Sequence, residues 1–187
     1  MARTSTITVS TLLGHPPAVV WRALTEPEAL QHWFMRADFA PEVGRRYRFD
    51  AEPVKGWRGW VEGRVTIVKP PIVKPPIAKP PMADPPAEPP GTASTASLAY
   101  TWQGMPEHTP SLVTYTLEPV EEDSGEVAGT RITAEHTGFD SSHGWFNGWF
   151  LRAVLKNGWR RMFNVLLPPV LDAIADGTLQ DPKNAND

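Results

Sequence analysis

The sequence predicts an α+β domain: a curved antiparallel β-sheet wrapped around a long C-terminal α-helix, with two short helices after the first strand. Three observations point there. Up to about residue 140, short β-branched and aromatic stretches of period two are divided by Gly, Pro and polar turns. From about Ser142 the period becomes that of a helix. A sheet with one apolar face needs a cover, and this last segment is the element large enough to supply it.

The elements follow in order. "RTSTITVSTLL" alternates and is read as a strand over Arg3–Leu13. Pro16 and Pro17 preset φ for a first helical turn, and the helix runs to Leu24. Thr25, with Pro27 next but one and Glu28 three residues on, spells a capping box for a second helix ending near Trp33. Val20, Leu24, Leu30 and Trp33 form the buried side of this pair. "RADFAP", "RRYRFDAEP" and "GWRGWVEGRVTIVK" then read as strands. In the last, Trp57, Val61, Val65 and Ile67 make the apolar face, and Arg58, Glu62, Arg64 and Thr66 the wet one.

"ASLAYTWQG" places Leu98, Tyr100 and Trp102 together, and "SLVTYTLEPV" does the same for Val113, Tyr115 and Leu117. After the polar turn "EEDSGEVAG", the strand "TRITAEHTGF" puts Ile132, Ala134 and His136 on one side. In the long helix Trp145 and Trp149 sit one turn apart, and Trp159, Phe163 and Leu166 continue the stripe. Pro168 and Pro169 are expected to break or sharply kink it. "VLDAIADG" is then a short terminal piece with Gly177 as its cap. A curved sheet gripping a long helix in this way is a helix-grip fold.

"IVKPPIVKPPIAKPPMADPPAEPP" interrupts this pattern between "GRVTIV" and "SLAYTW". Its proline pairs recur every five residues, at Pro70, Pro75, Pro80 and Pro85, so they rotate around a three-residue polyproline II helix and do not stack on one face. Within it only Pro86 and Pro89 have the P-x-x-P spacing that polyproline readers dock. Two readings stand. One is a tolerated tandem expansion of a hairpin loop, since closure entropy grows only with the logarithm of length. The other is a partner-binding arm. The expected organisation is one domain over 1–177, interrupted by a proline-rich insertion at 69–96 and followed by a flexible tail at 178–187.

Composition excludes several functions. The formal charge of −3 gives no basic field, so no nucleic-acid partner is expected. With no cysteine there is no disulfide framework, thiol nucleophile or Cys-based metal site. "MARTSTITVST" has no apolar core of a signal peptide, and no stretch is apolar enough for a membrane span, so a cytoplasmic protein is expected. No G-x-S-x-G, P-loop or G-x-G-x-x-G motif appears. His15, His32, His108, His136 and His143 are scattered, and His136, Asp140 and His143 match no established ligand spacing. Neither a metal nor a cofactor is expected.

His136 is the catalytic candidate. On the inward face it could serve as a general base, helped by Tyr100 or Glu135; the alternative is a core histidine bonded to backbone. On the strands, Trp57, Tyr100, Trp102, Tyr115 and His136 are candidates to line a ligand cavity; on the helical segments, Trp33, Trp145, Trp149 and Trp159. The alternative is that these rings fill the core. Buried Tyr and Trp need partners for their polar tips, which a core of Leu and Phe would not, and this favours a pocket. Around Trp145, Phe146, Trp149, Phe150 and Leu151 the chain is apolar on nearly all sides. A homodimer contact, a lid, a lipid-facing surface or burial under the sheet edge would each account for it.

"PPAVVWRALTEPEALQHWF" resembles the opening of the SRPBCC (START-like) superfamily, in the branch of the activator of heat-shock-protein ATPase. The matching positions are Val20, Trp21, Ala23, Leu24, Thr25, Pro27, Leu30 and Trp33. "GWRGWVEGRV", "LAYTWQG", "GTRITAEHTGF" and "NGWRRMFNVL" match later blocks in order, so the resemblance spans nearly all of the chain outside the proline segment and tail. It implies a helix-grip fold with a hydrophobic cavity. Members of such families bind lipids or small apolar ligands, act as cyclases or hydrolases, or bind a chaperone. The expected function is binding of a lipid-like or aromatic small molecule. The alternatives are a cyclase- or hydrolase-type enzyme using His136 and a chaperone-associated interaction module.

Overall fold

Alternating apolar stretches become seven strands: β1 (Ser5–Leu13), β2 (Arg36–Asp38), β3 (Arg46–Asp50), β4 (Trp60–Lys69), β5 (Ala96–Trp102), β6 (Ser111–Glu121) and β7 (Val127–Phe139). The computed structural model describes residues 5–54, 57–72, 94–104, 109–121, 127–139 and 156–179. The strands form one antiparallel sheet in the order β1-β7-β6-β5-β4-β3-β2. Only β1 leaves its place in the sequence, crossing over to pair with β7. Helices α1 (Pro17–Thr25) and α2 (Pro27–Trp33) follow β1 directly. The C-terminal segment is helical without interruption over 156–175 and is named α3. One apolar core joins the inner face of the sheet to all three helices.

The helix pair keeps its expected buried side, with Val20, Leu24, Leu30 and Trp33 all inside. The expected capping box does not form. Thr25 Oγ1 donates to the Trp21 carbonyl four residues back, at 2.8 Å, and closes α1. The N-cap of α2 is Glu26, which makes no side-chain cap bond. Pro27 needs no N–H partner in the first turn, so α2 starts without one.

β4 corrects the expected face. Val61 and Val65 are buried, but Ile67 is 39% exposed. The register slips between Val65 and Ile67, so beyond this bulge the alternation inverts and Val68 packs on the core instead. Gly63 is required nearby. A β-carbon there would come 1.9 Å from the Thr101 carbonyl oxygen of β5. That same oxygen accepts the Tyr47 hydroxyl at 2.6 Å. Val68 pairs with Leu98 and Lys69 with Ser97, so the two ends of the proline segment leave from adjacent strands; residues 73–93 lie outside the described residues.

α3 corrects a second expectation. Pro168 and Pro169 do not break it. Met162–Leu166 adopts π-helical bonding, with the Leu167 N–H reaching Met162 O, and the α-helix resumes over Leu167–Ala175 with the prolines in its first turn. There the missing N–H of each proline has no α-helical partner to lose. The wider turn also resets the buried stripe. Trp159, Phe163, Leu167 and Leu171 are all buried at four-residue spacing. In an α-helix each such step overshoots by about 40°; the π-turn absorbs the excess. The stripe therefore passes through Leu167, leaving Leu166 only half-buried. α3 ends as expected at Gly177, φ +67°, with Thr178 N–H on Ala173 O and Gly177 N–H on Ile174 O. Leu179 beyond it still packs on the core.

Candidate ligand-binding site

Alternation on β5, β6 and β7 turns Tyr100, Ser111, Tyr115 and His136 to the inner face, where α3 lies across them. Register brings them together: Trp102 pairs with Ser111, Tyr100 with Val113, and Val113 with His136. His136 Nε2 lies 2.7 Å from Ser111 Oγ, and Ser111 Oγ also reaches the Trp102 carbonyl at 3.1 Å. The His136 ring stands edge-to-face against Trp102 at 5.6 Å and Trp159 at 6.4 Å. Tyr115 meets Trp159 at 5.8 Å, and its hydroxyl lies 3.0 Å from that of Tyr100.

Burial sets the electrostatics. It pushes the His136 imidazole down to about 3, so the ring is neutral at ordinary pH. It holds Tyr47, Tyr100 and Tyr115 far above the ordinary phenol range; for Tyr100 the Tyr115 neighbour adds to this. The interior is thus a set of neutral polar tips in an aromatic wall. A neutral imidazole bonded to a hydroxyl can hold or pass a proton, and its tautomer follows from which partner donates.

Of the residues expected at the site, Tyr100, Trp102, Tyr115, His136 and Trp159 converge here. Trp33 joins at one remove, stacking on Phe34 at 5.3 Å while its Nε1 donates to Ala23 O at 2.9 Å. Phe34 in turn stacks on Trp159 at 5.9 Å. Trp57 does not join them: it lies in the loop before β4, bridged to Val54 and half-buried against the core. Glu135 is exposed on the outer face and cannot assist His136 from there. Trp145 and Trp149, with the rest of the apolar helix start, lie outside the described residues, as do Asp140 and His143. Among the described residues no three His, Asp or Glu side chains gather in a metal-sized group, and no helix is long and apolar enough to cross a membrane.

Sequence reasoning missed Ser111, Phe34 and Phe163 as parts of the site. Ser111 shares the parity of Val113, Tyr115 and Leu117, a signal that was available. Phe34 follows the end of α2 with φ −127° and ψ −92°, where no periodicity applies. Two open hollows lie elsewhere. One, of about 430 Å³, runs between His32 and the Val165–Ala173 side of α3. The other, of about 300 Å³, lies over Arg46, Glu62, Arg64 and Gln103. None of the expected ligand residues lines either.

Residues 14–72 match the family described as Activator of Hsp90 ATPase homolog 1-like protein. No curated protein matches the chain. Among solved structures, protein MLL2253 of Mesorhizobium loti is 28% identical and superposes over 93% of this chain and 98% of its own, with a TM-score of 0.59. Protein BH1534 of Bacillus halodurans is 20% identical over 91% of this chain and 99% of its own, with a TM-score of 0.57. Protein SA2116 of Staphylococcus aureus is 15% identical over 96% and 98%, with a TM-score of 0.54. At the two lower identities the likeness is one of fold.

Proposed function

We propose that this chain, whose residues 14–72 match the Activator of Hsp90 ATPase homolog 1-like family, binds a small lipid-like or aromatic molecule between the sheet and α3. One observation carries this reading. Three separate polar contacts, Tyr47 on Thr101 O, Tyr100 with Tyr115, and Ser111 with His136, stand in an interior otherwise made of rings and aliphatic chains. Ligand sites are apolar with a few placed polar groups, and this interior has that composition. A cavity there, lined by Trp33, Tyr100, Trp102, Tyr115, His136 and Trp159, belongs to the same proposal.

The test is native mass spectrometry of gently purified protein, with organic extraction of what accompanies it. A co-purifying molecule that the denatured protein releases is the expected result. An apo mass, followed by no binding of a panel of fatty acids and planar aromatics, would overturn the reading.

A second reading is favoured by the 2.7 Å contact between His136 Nε2 and Ser111 Oγ. A neutral imidazole beside a hydroxyl is equipped for general-base chemistry of the cyclase or hydrolase kind. Turnover of the extracted compound by the wild type, lost in His136→Ala, would establish it; equal turnover would remove it. A chaperone partner is suggested by the family's description alone, and pull-down with purified Hsp90 tests it.

A further inference from the structure

Arg46 of β3 and Arg64 of β4 are both exposed and stand directly opposite each other in the register. Like charges in that relation repel, so the sheet keeps a destabilising pair. The neighbouring arginines are matched. Arg48 Nε donates to Asp50 Oδ1 at 2.8 Å, and its guanidinium lies 5.1 Å from the centre of the Trp60 ring. Arg45 donates to Asp38 at 3.2 Å. Arg64 instead donates from Nη1 to the Gly44 carbonyl at 2.6 Å, which ties it to the turn that leads into Arg46. A neutral carbonyl holds that guanidinium in place without offsetting its charge.

The two arginines border the hollow of about 300 Å³, together with Tyr47, Glu62, Gly63 and Gln103. Glu62 and Gln103 are fixed side by side: Glu62 N–H donates to Gln103 O at 3.1 Å, and Gln103 N–H to Glu62 O at 3.0 Å. The hollow thus combines two cationic forks with a carboxylate and an amide. A guanidinium is a planar set of donors that fits phosphate in bidentate fashion. Two of them on facing strands suit a group of about two negative charges, which a phosphomonoester carries near neutral pH. An ionised carboxylate only accepts hydrogen bonds, so a ligand group beside Glu62 must donate, and a side-chain amide does both. Hydroxyls meet that demand; a second anionic group does not.

We propose that this hollow binds a phosphomonoester of a small polyol, such as a sugar phosphate, with Arg46 and Arg64 taking the phosphate and Glu62 and Gln103 the hydroxyls. None of these four residues belongs to the interior between the sheet and α3, so this site and the function proposed above are tested separately.

The experiment titrates the isotope-labelled full chain at constant ionic strength with glucose 6-phosphate, inorganic phosphate and glucose, and follows the backbone amides by NMR. Glucose 6-phosphate should shift the amides of Arg46, Gly63, Arg64 and Gln103 to saturation and bind about three- to tenfold tighter than inorganic phosphate, the range of one hydrogen bond. Glucose should shift none of them. Arg46→Gln, at an exposed position, should weaken glucose 6-phosphate about tenfold, while Arg131→Gln, exposed on β7 of the same sheet, should leave it unchanged. Glu62→Ala should bring the two phosphate affinities together. Three results would each overturn the proposal: no shifts at those amides, equal weakening by Arg46→Gln and Arg131→Gln, or equal affinity of the wild type for glucose 6-phosphate and inorganic phosphate.

Discussion

His136 is a titratable side chain placed where charge is expensive, and that has a measurable cost in acid. Its folded pKa is depressed to about 3 from an unfolded value of 6.5. Below pH 6.5 the unfolded chain takes up a proton that the folded one refuses. Stability from this group is complete above pH 6.5 and is lost as pH falls towards 3. Between pH 7 and pH 5 the loss is about 2 kcal/mol. His136→Gln, which keeps a partner for Ser111, should lack that part of the pH dependence. Urea unfolding of both proteins at the two pH values checks it, and parallel curves would show that the imidazole is not held neutral. The inward aim of His136 was legible from its alternation with Ile132 and Ala134. Its bond to Ser111 was not, because pairing across strands joins residues that no local pattern relates. The placement of Glu135 followed from the same alternation, which sets neighbours in a strand on opposite faces.

Elements were legible in kind and order, and their errors are local contests between hydrogen bonds. At Thr25 the sequence offers two partners, the start of α2 and the end of α1, and the hydroxyl takes the latter. Thr25→Val should therefore cost about 1 kcal/mol, while Glu28→Ala should change stability by less than about 0.5 kcal/mol. A capping box would make both costly, so equal losses in chemical denaturation would contradict the bond seen here. In β4 a single bulge exchanges the faces of Ile67 and Val68, a change that strict period two cannot foresee. In α3 the prolines looked like a stop. Met162–Leu166 instead opens into a π-turn that removes the bonds the prolines would have broken. Proline rules describe a regular helix, and this one has already departed from regularity one turn earlier.

At the scale of the whole molecule, the helical period of the C-terminal segment, described from residue 156, was enough to set helix against sheet. Strand neighbours were less accessible, since β1 pairs with β7 and not with β2. The proline segment leaves and re-enters through the pair Lys69–Ser97, at the end of a hairpin the sheet would form without it. Replacing residues 71–95 by a short Gly-containing turn should leave stability equal or raise it by about 1 kcal/mol, from the lower cost of closing a shorter loop. Thermal and urea melts of the shortened protein check this. A loss of several kcal/mol would mean that the segment contributes packing and is not a tolerated expansion.

The pairing of β1 with β7 also has a consequence in time. β1 leaves the ribosome more than a hundred residues before its partner strand β7 begins. Strands β2 to β6 can zip as hairpins while they emerge, because each neighbours the next in sequence. β1 has nothing to bond until β7 is complete, and the inner face of the sheet is covered only in part, by α1 and α2, until α3 follows. Until then the emerging chain carries an unpaired strand and an incompletely covered apolar face. Its final closure is a late, long-range event, which sets a slow pace for folding of a domain this small.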